Sequence, residues 1–332
     1  MEGFPLRIKL LWRRLRRMRR MRIEPWQRTL YTIICAETIA ILGFSISNPF
    51  LPFYIQELGV TDLDRLAFWV GLISSAGPIM MALSSPIWGL LADRHGRKSM
   101  LVRAMLGGSL TIGLQAVVLN VPQLAALRIA QGALTGTVSA ATTLVATSVP
   151  RERCGVALGL LQTAIFAGSS LGPSLGGVIG STLGYKAAFA GSAVLLAIAG
   201  LLVLRLVRED FVPSQRERNG NALAANARAI VGEPILLAMV ALLAFNNLGS
   251  TIVNPVLPLY VQSLVGSAQE ASRATGLILG ATAVANAVGA VSAGQLGGRG
   301  RRRALLLGCM IVASLASFPQ GLTQSPMQLL AL

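Results

Sequence analysis

The chain has 332 residues, 53% of them hydrophobic and only 13% charged, with a mean hydropathy of +0.64. A water-soluble domain of this size carries roughly 25% charged residues, so a globular enzyme or a soluble binding module is excluded as its main body. The net charge of +16 invites nucleic acid as a partner, but the basic residues are dealt out between apolar runs, which excludes a nucleic-acid face.

Residues 1–28 form a basic tail with ten Lys and Arg, interleaved with Leu, Ile, Trp12 and Met. Two readings fit it: a basic helix lying on anionic lipid, or translation that starts at Met18 or Met21. No small-residue cleavage site follows the first apolar run, so the tail does not read as a signal peptide. Beyond it, nine apolar runs lie near 30–50, 69–91, 100–119, 122–148, 155–180, 186–207, 235–259, 274–297 and 304–323, and a tenth starts at Pro326. A helix needs about 20 apolar residues to cross a ~30 Å hydrocarbon core. Because the runs are continuous and not alternating, helices and not barrel strands are expected, giving an all-α membrane protein. With the N-terminus in the cytoplasm, 25 of the 29 Lys and Arg fall on the cytoplasmic side, as the positive-inside rule requires.

The first run contains Glu37, the one carboxylate well inside a span, and ends Asn48-Pro49-Phe50-Leu51-Pro52-Phe53-Tyr54-Ile55-Gln56. Between the second and third runs lies Gly89-Leu90-Leu91-Ala92-Asp93-Arg94-His95-Gly96-Arg97-Lys98. Gly89 and Asp93, four apart, share a helix face. Gly96 permits a tight reversal, while Arg94, Arg97 and Lys98 hold the loop inside. The segment resembles the cytoplasmic loop motif of the major facilitator superfamily. The resemblance implies a latch between two halves of the molecule; topogenic charge around a turn glycine is the simpler alternative. Gly96-Arg97-Lys98-Ser99 lacks the glycine directly before lysine that a phosphate-binding loop needs, so nucleotide hydrolysis is not expected.

The fourth run carries Leu127-Arg128-Ile129-Ala130-Gln131-Gly132, similar to the R-x2-q-G motif of the same superfamily. Arg128, Gln131, Thr135, Ser139 and Thr142 form one polar stripe at helical spacing. An arginine inside a span is costly unless it faces water or a partner, so the stripe is expected to line a central cavity; a structural cation is the alternative for Arg128. The fifth run holds Gly168, Gly172, Pro173, Gly176, Gly177 and Gly180. Glycines every four residues make a smooth ridge for close helix contact, and Pro173 removes an amide. This element resembles the helix-5 motif of the superfamily's antiporters. With it, the position of Glu37 resembles that of a membrane-embedded acid in some multidrug antiporters; the second acid such proteins carry is replaced by Ser45 and neutral neighbours.

The chain repeats itself. Asn254-Pro255-Val256-Leu257-Pro258-Leu259-Tyr260-Val261-Gln262 copies the end of the first run at an offset of 206, and both copies are preceded by Leu-Gly, at Gly43 and Gly249. Thus Gly43, Pro49 and Pro52 correspond to Gly249, Pro255 and Pro258. Gly71-Leu72-Ile73 recurs as Gly276-Leu277-Ile278, and the loop from Gly89 recurs from Gly294, with Gly298 in place of the acid. Both copies start on the same side, so they are parallel repeats about an axis along the membrane normal.

The resemblance implies the major facilitator fold, two six-helix bundles of which the second is incomplete here, with nine to ten helices present. The expected divisions are a tail (1–28), a first bundle (29–207), a cytoplasmic linker (208–233) and part of a second bundle (234–332). At an offset of 205, Leu332 aligns with Leu127, one residue before Arg128, so a C-terminally truncated chain is expected. The implied function is proton-coupled efflux of small amphipathic compounds by a monomer in the cell membrane. Glu37 is expected as the proton carrier, within about 5 Å of Arg128 in depth and modulated by it; a structural ion pair is the alternative. The rival function is export of a sugar or metabolite. An enzyme is not expected: one histidine, His95, and three scattered cysteines offer no metal set, and nothing calls for a cofactor.

Overall fold

The computed structural model describes residues 24–209 and 233–296, with Gly308 and Gln328. The tail, most of the linker, the 299–303 loop, the ninth run and the start of the tenth lie outside the described residues, apart from those two positions. Among the described residues every element is helical.

The first span is α1 (Pro25–Ser47), a 3-10 turn (Asn48–Phe50) and α2 (Leu51–Glu57). Pro49 and Pro52 each remove a backbone donor, which is why the helix tightens there. At its start Glu24 and Gln27 form a capping box. The second span is α3 (Leu63–His95), opened by the Asp62 carboxylate, which accepts from the Arg65 amide at 2.9 Å. Gly96, at φ +86°, ends it in a conformation that favours glycine, as expected for the reversal. α4 (Arg97–Gln115) is the third. The fourth, expected as one helix, is two: α5 (Val121–Leu134), capped by Asn120, and α6 (Thr137–Ser148). A 3-10 turn (Arg151–Arg153) leads to α7 (Cys154–Leu183), and Gly184 leads to α8 (Tyr185–Leu206). The second half contributes α9 (Pro234–Val265) and α10 (Ala268–Leu296).

Five spans among the described residues are long and apolar enough to cross a membrane: Pro25–Glu57, Leu63–His95, Val121–Ser148, Arg151–Leu183 and Tyr185–Leu206. Their exposed faces carry Leu, Ile, Val and Phe, including Phe68, Ile79, Leu83, Phe166 and Val178. Such a surface suits hydrocarbon and not water. Inside, α1 packs on α7 and α8, α4 on α8, and α3 on α5, while α7 reaches across to α10.

Candidate functional site

Arg128 sits on α5 with only 7% of its surface exposed. Its Nη1 donates to Asn48 Oδ1 at 2.8 Å, and its guanidinium lies 5.8 Å from the centre of the Phe189 ring on α8. Nε and Nη2 are buried without partners. Beside it, Gln115 of α4 donates to Gln131 at 2.8 Å and the Tyr54 hydroxyl donates to the Gln115 carbonyl at 2.8 Å. Tyr54 in turn packs on Phe189, centroids 4.8 Å apart. Four helical segments thus share one polar knot. Arg128 and Gln131 were expected to line a cavity; they are instead enclosed within the first bundle, because neighbouring helices supply polar partners there. Thr135, Ser139 and Thr142 turn their hydroxyls back onto their own chain, at Gln131, Gly136 and Val138. Asn48 stood in the repeated segment and Gln115 is the only amide of its span; both polar residues in apolar runs were the available signal.

Glu37 is wholly buried on α1, and neither carboxylate oxygen has a hydrogen-bond partner. Thr137, the first residue of α6, lies beside it without meeting it in a bond of ordinary geometry. The expected closeness to Arg128 does not hold. Arg128 bonds Asn48, eleven residues or about 16 Å further along the first span than Glu37. The reason is helix length. Pro25–Glu57 and Val121–Ser148 have 33 and 28 residues, about 50 and 42 Å of helix, so both overrun a ~30 Å core, and depths counted from their ends do not place Glu37 and Arg128 at one level.

The glycine ridge of α7 is a docking surface for α1. A Cβ on Gly168 would lie 2.8 Å from the Thr38 carbonyl oxygen, one on Gly172 would overlap Ser45, and one on Gly176 would overlap the Ile46 carbonyl. Gly177 faces the other way, toward Ser272 and Gly276 on α10. Pro173 is buried between them, and its carbonyl lies against Gly276. Gly132, which closes the R-x2-q-G stretch, plays the same part between α5 and α3, where a Cβ would overlap Gly77. Gly43 packs on α8, 3.0 Å from the Ser192 carbonyl by the same measure.

The two halves meet at the end remote from the N-terminus. Gln56 and Gln262, equivalent positions of the repeat, exchange amide hydrogen bonds at 2.9 and 3.2 Å. Equivalent residues can meet only near the axis that relates the repeats. Ser174 donates to the Gly276 carbonyl at 3.2 Å, and Arg273 Nε donates to the Ser181 hydroxyl at 3.2 Å. Pro49, Pro52 and Pro258 lie in these end segments. Gly249 and Pro255 fall within α9, and their surroundings lie outside what is described.

At the opposite end, the 89–98 segment shows a different partner from those expected. Glu209, just after α8, accepts from the amides of Arg97 and Lys98 at 2.9 and 2.8 Å, so a carboxylate caps the start of α4. Asp93 and Arg94 are exposed, and a Cβ on Gly89 would meet nothing within 4 Å. No described helix approaches that face.

Residues 33–332 match the profile of the Major Facilitator Superfamily. The multidrug resistance protein MdtG of Rahnella sp. (strain Y9602) is 34% identical over 304 residues, 92% of this chain and 74% of that protein. That of Serratia proteamaculans (strain 568) is 35% identical over the same shares. Among solved structures, a D-xylose–proton symporter superposes with a TM-score of 0.57 at 15% identity, over 80% of this chain and 70% of that one. The human organic anion transporter MFSD10 gives 0.50 at 20% identity, over 56% and 48%. These structures speak for the fold alone. The helical architecture, the repeat and the long match to the family profile agree: the chain belongs to the major facilitator superfamily.

Proposed function

We propose that the protein is a multidrug efflux transporter that exchanges small amphipathic compounds for protons across the cell membrane. The observation that carries this reading is the identity of about a third, along 92% of the chain, with proteins named for multidrug resistance. The close fit of the α7 glycines to α1 and α10 supports it, since this is the element whose pattern resembles antiporters. Export of a sugar is the weaker reading, because the likeness to a xylose symporter is one of fold at 15% identity.

Within this function Glu37 is the proton carrier. It is the buried acid of the first bundle and has no partner to compete for its charge. Arg128 acts at a distance, holding α5 to the 3-10 turn of the first span. The first bundle is 29–207, the linker 208–233 and the second bundle starts at 234. The N-terminus and the 89–98 segment face the cytoplasm, and the Gln56–Gln262 contact closes the outer side. The basic tail rests on anionic lipid, and the working unit is a monomer.

The test is transport by the purified protein in proteoliposomes. An imposed pH gradient should drive uptake of a lipophilic dye such as ethidium, and collapsing the gradient with a proton exchanger should stop it. Uptake that ignores the gradient would remove proton coupling from the proposal.

A further inference from the structure

Resting on the reading of Glu37 as carrier, we propose that Thr137 is the positioning residue for its proton, set by the break in the fourth span. The break is the observation that sequence did not foresee. Thr135 is extended, at ψ −168°, and Gly136 takes φ +120°, a conformation that L side chains rarely adopt. A new helix of twelve residues then starts at Thr137 within the membrane. The first amides of a helix have no partners in their own helix, and no backbone hydrogen bond joins those of Thr137, Val138 or Ser139 to the preceding turn. A half-helix start inside a transporter therefore offers free donors and the positive end of a dipole.

The second observation is independent of the first. Glu37, fully buried with both oxygens unpartnered, lies beside this tip. The elements packed on α1 are α6, α7, α8 and the 3-10 turn, with Gly108 of α4 against Phe44 and Arg153 5.5 Å from the Trp26 ring at the start of α1. α4 has Arg97 and Lys98 at its start and Arg103, whose guanidinium lies 3.5 Å over the Trp88 ring of α3. α6 has no ionisable side chain, and that of α7 is Cys154 alone. α8 has Tyr185, Lys186 and Arg205 at its ends, and α1 itself has Arg28, Tyr31 and Cys35. Arg128 bonds Asn48, at the far end of α1. No charged side chain therefore balances an ionised Glu37, and the tip of α6 is the polar group at hand.

When the proton leaves, the carboxylate draws onto the Thr137 hydroxyl and the free amides. When a proton returns, that attraction ends and the tip is released. Gly136 gives α6 the hinge on which to approach and withdraw, and α6 touches α1 far more lightly than α7 does.

The test reads the protonation of Glu37 without needing a transported compound. Dicyclohexylcarbodiimide attacks protonated carboxyl groups in apolar surroundings, and mass spectrometry of the peptide bearing Glu37 follows labelling against pH. In Thr137→Val, isosteric but without the hydroxyl, the labelling profile should move to higher pH by about half a unit or more, because a hydrogen bond to the ionised form is lost. Thr137→Ser should restore the wild-type profile, which a change in packing alone would not do. If Glu37 labels with a pH dependence that Thr137→Val leaves unchanged, Thr137 has no such role, and the carrier reading survives. If Glu37 labels equally at every pH, or never, it does not titrate in the working range, and both readings fall.

Discussion

Arg128 and Glu37 are the buried side chains of the first bundle that can carry a charge at neutral pH, and they are held in opposite ways. Arg128 is tied: it donates a hydrogen bond to Asn48, its guanidinium lies over the Phe189 ring, and Gln131 one turn on extends the knot to Gln115 and Tyr54. Glu37 is loose: it is more deeply buried, yet nothing bonds it, and the helix facing it is broken at that level. A buried cation with fixed partners holds helices together at some desolvation cost. A buried acid without partners contributes little to stability and is free to change charge. The difference separates a structural ion from one placed to titrate.

Three substitutions sharpen that contrast, all read as unfolding midpoints in detergent. Asn48→Ala should have the largest effect. It leaves the guanidinium without its one hydrogen bond, and losing a bond to a charged group costs about 2 kcal/mol. Phe189→Leu comes next, removing the ring under Arg128 and its pairing with Tyr54 for a loss of about 1 kcal/mol. Glu37→Leu should be smallest, within about 0.5 kcal/mol of the wild type or slightly stabilising, since an apolar side chain then fills an apolar site. A Glu37→Leu protein less stable than Asn48→Ala would invert the comparison and make Glu37 the structural ion.

Much of this arrangement was legible in the residues. The apolar runs located the described helices to within a few positions at most ends. The repeat paired Gln56 with Gln262 in the alignment, and the two are bonded in space. The α7 glycines announced a close contact, although not that Gly177 would serve α10 while its neighbours serve α1. Two features were illegible. Gly136 has no proline or charged residue beside it, and a glycine in such a setting is ordinarily absorbed into a helix. The separation of Glu37 from Arg128 was misjudged because spans of 33 and 28 residues overrun the core that was used as the ruler.

The most direct measurement of the central claim is proton release on drug binding by the purified protein in weakly buffered detergent solution, followed with a pH indicator. Wild-type protein should release protons when a bound lipophilic cation such as tetraphenylphosphonium displaces them. Glu37→Gln, still folded and still binding the cation, should release none, and Glu37→Asp should release some. Full proton release from Glu37→Gln would contradict the claim and place the carrier elsewhere in the molecule.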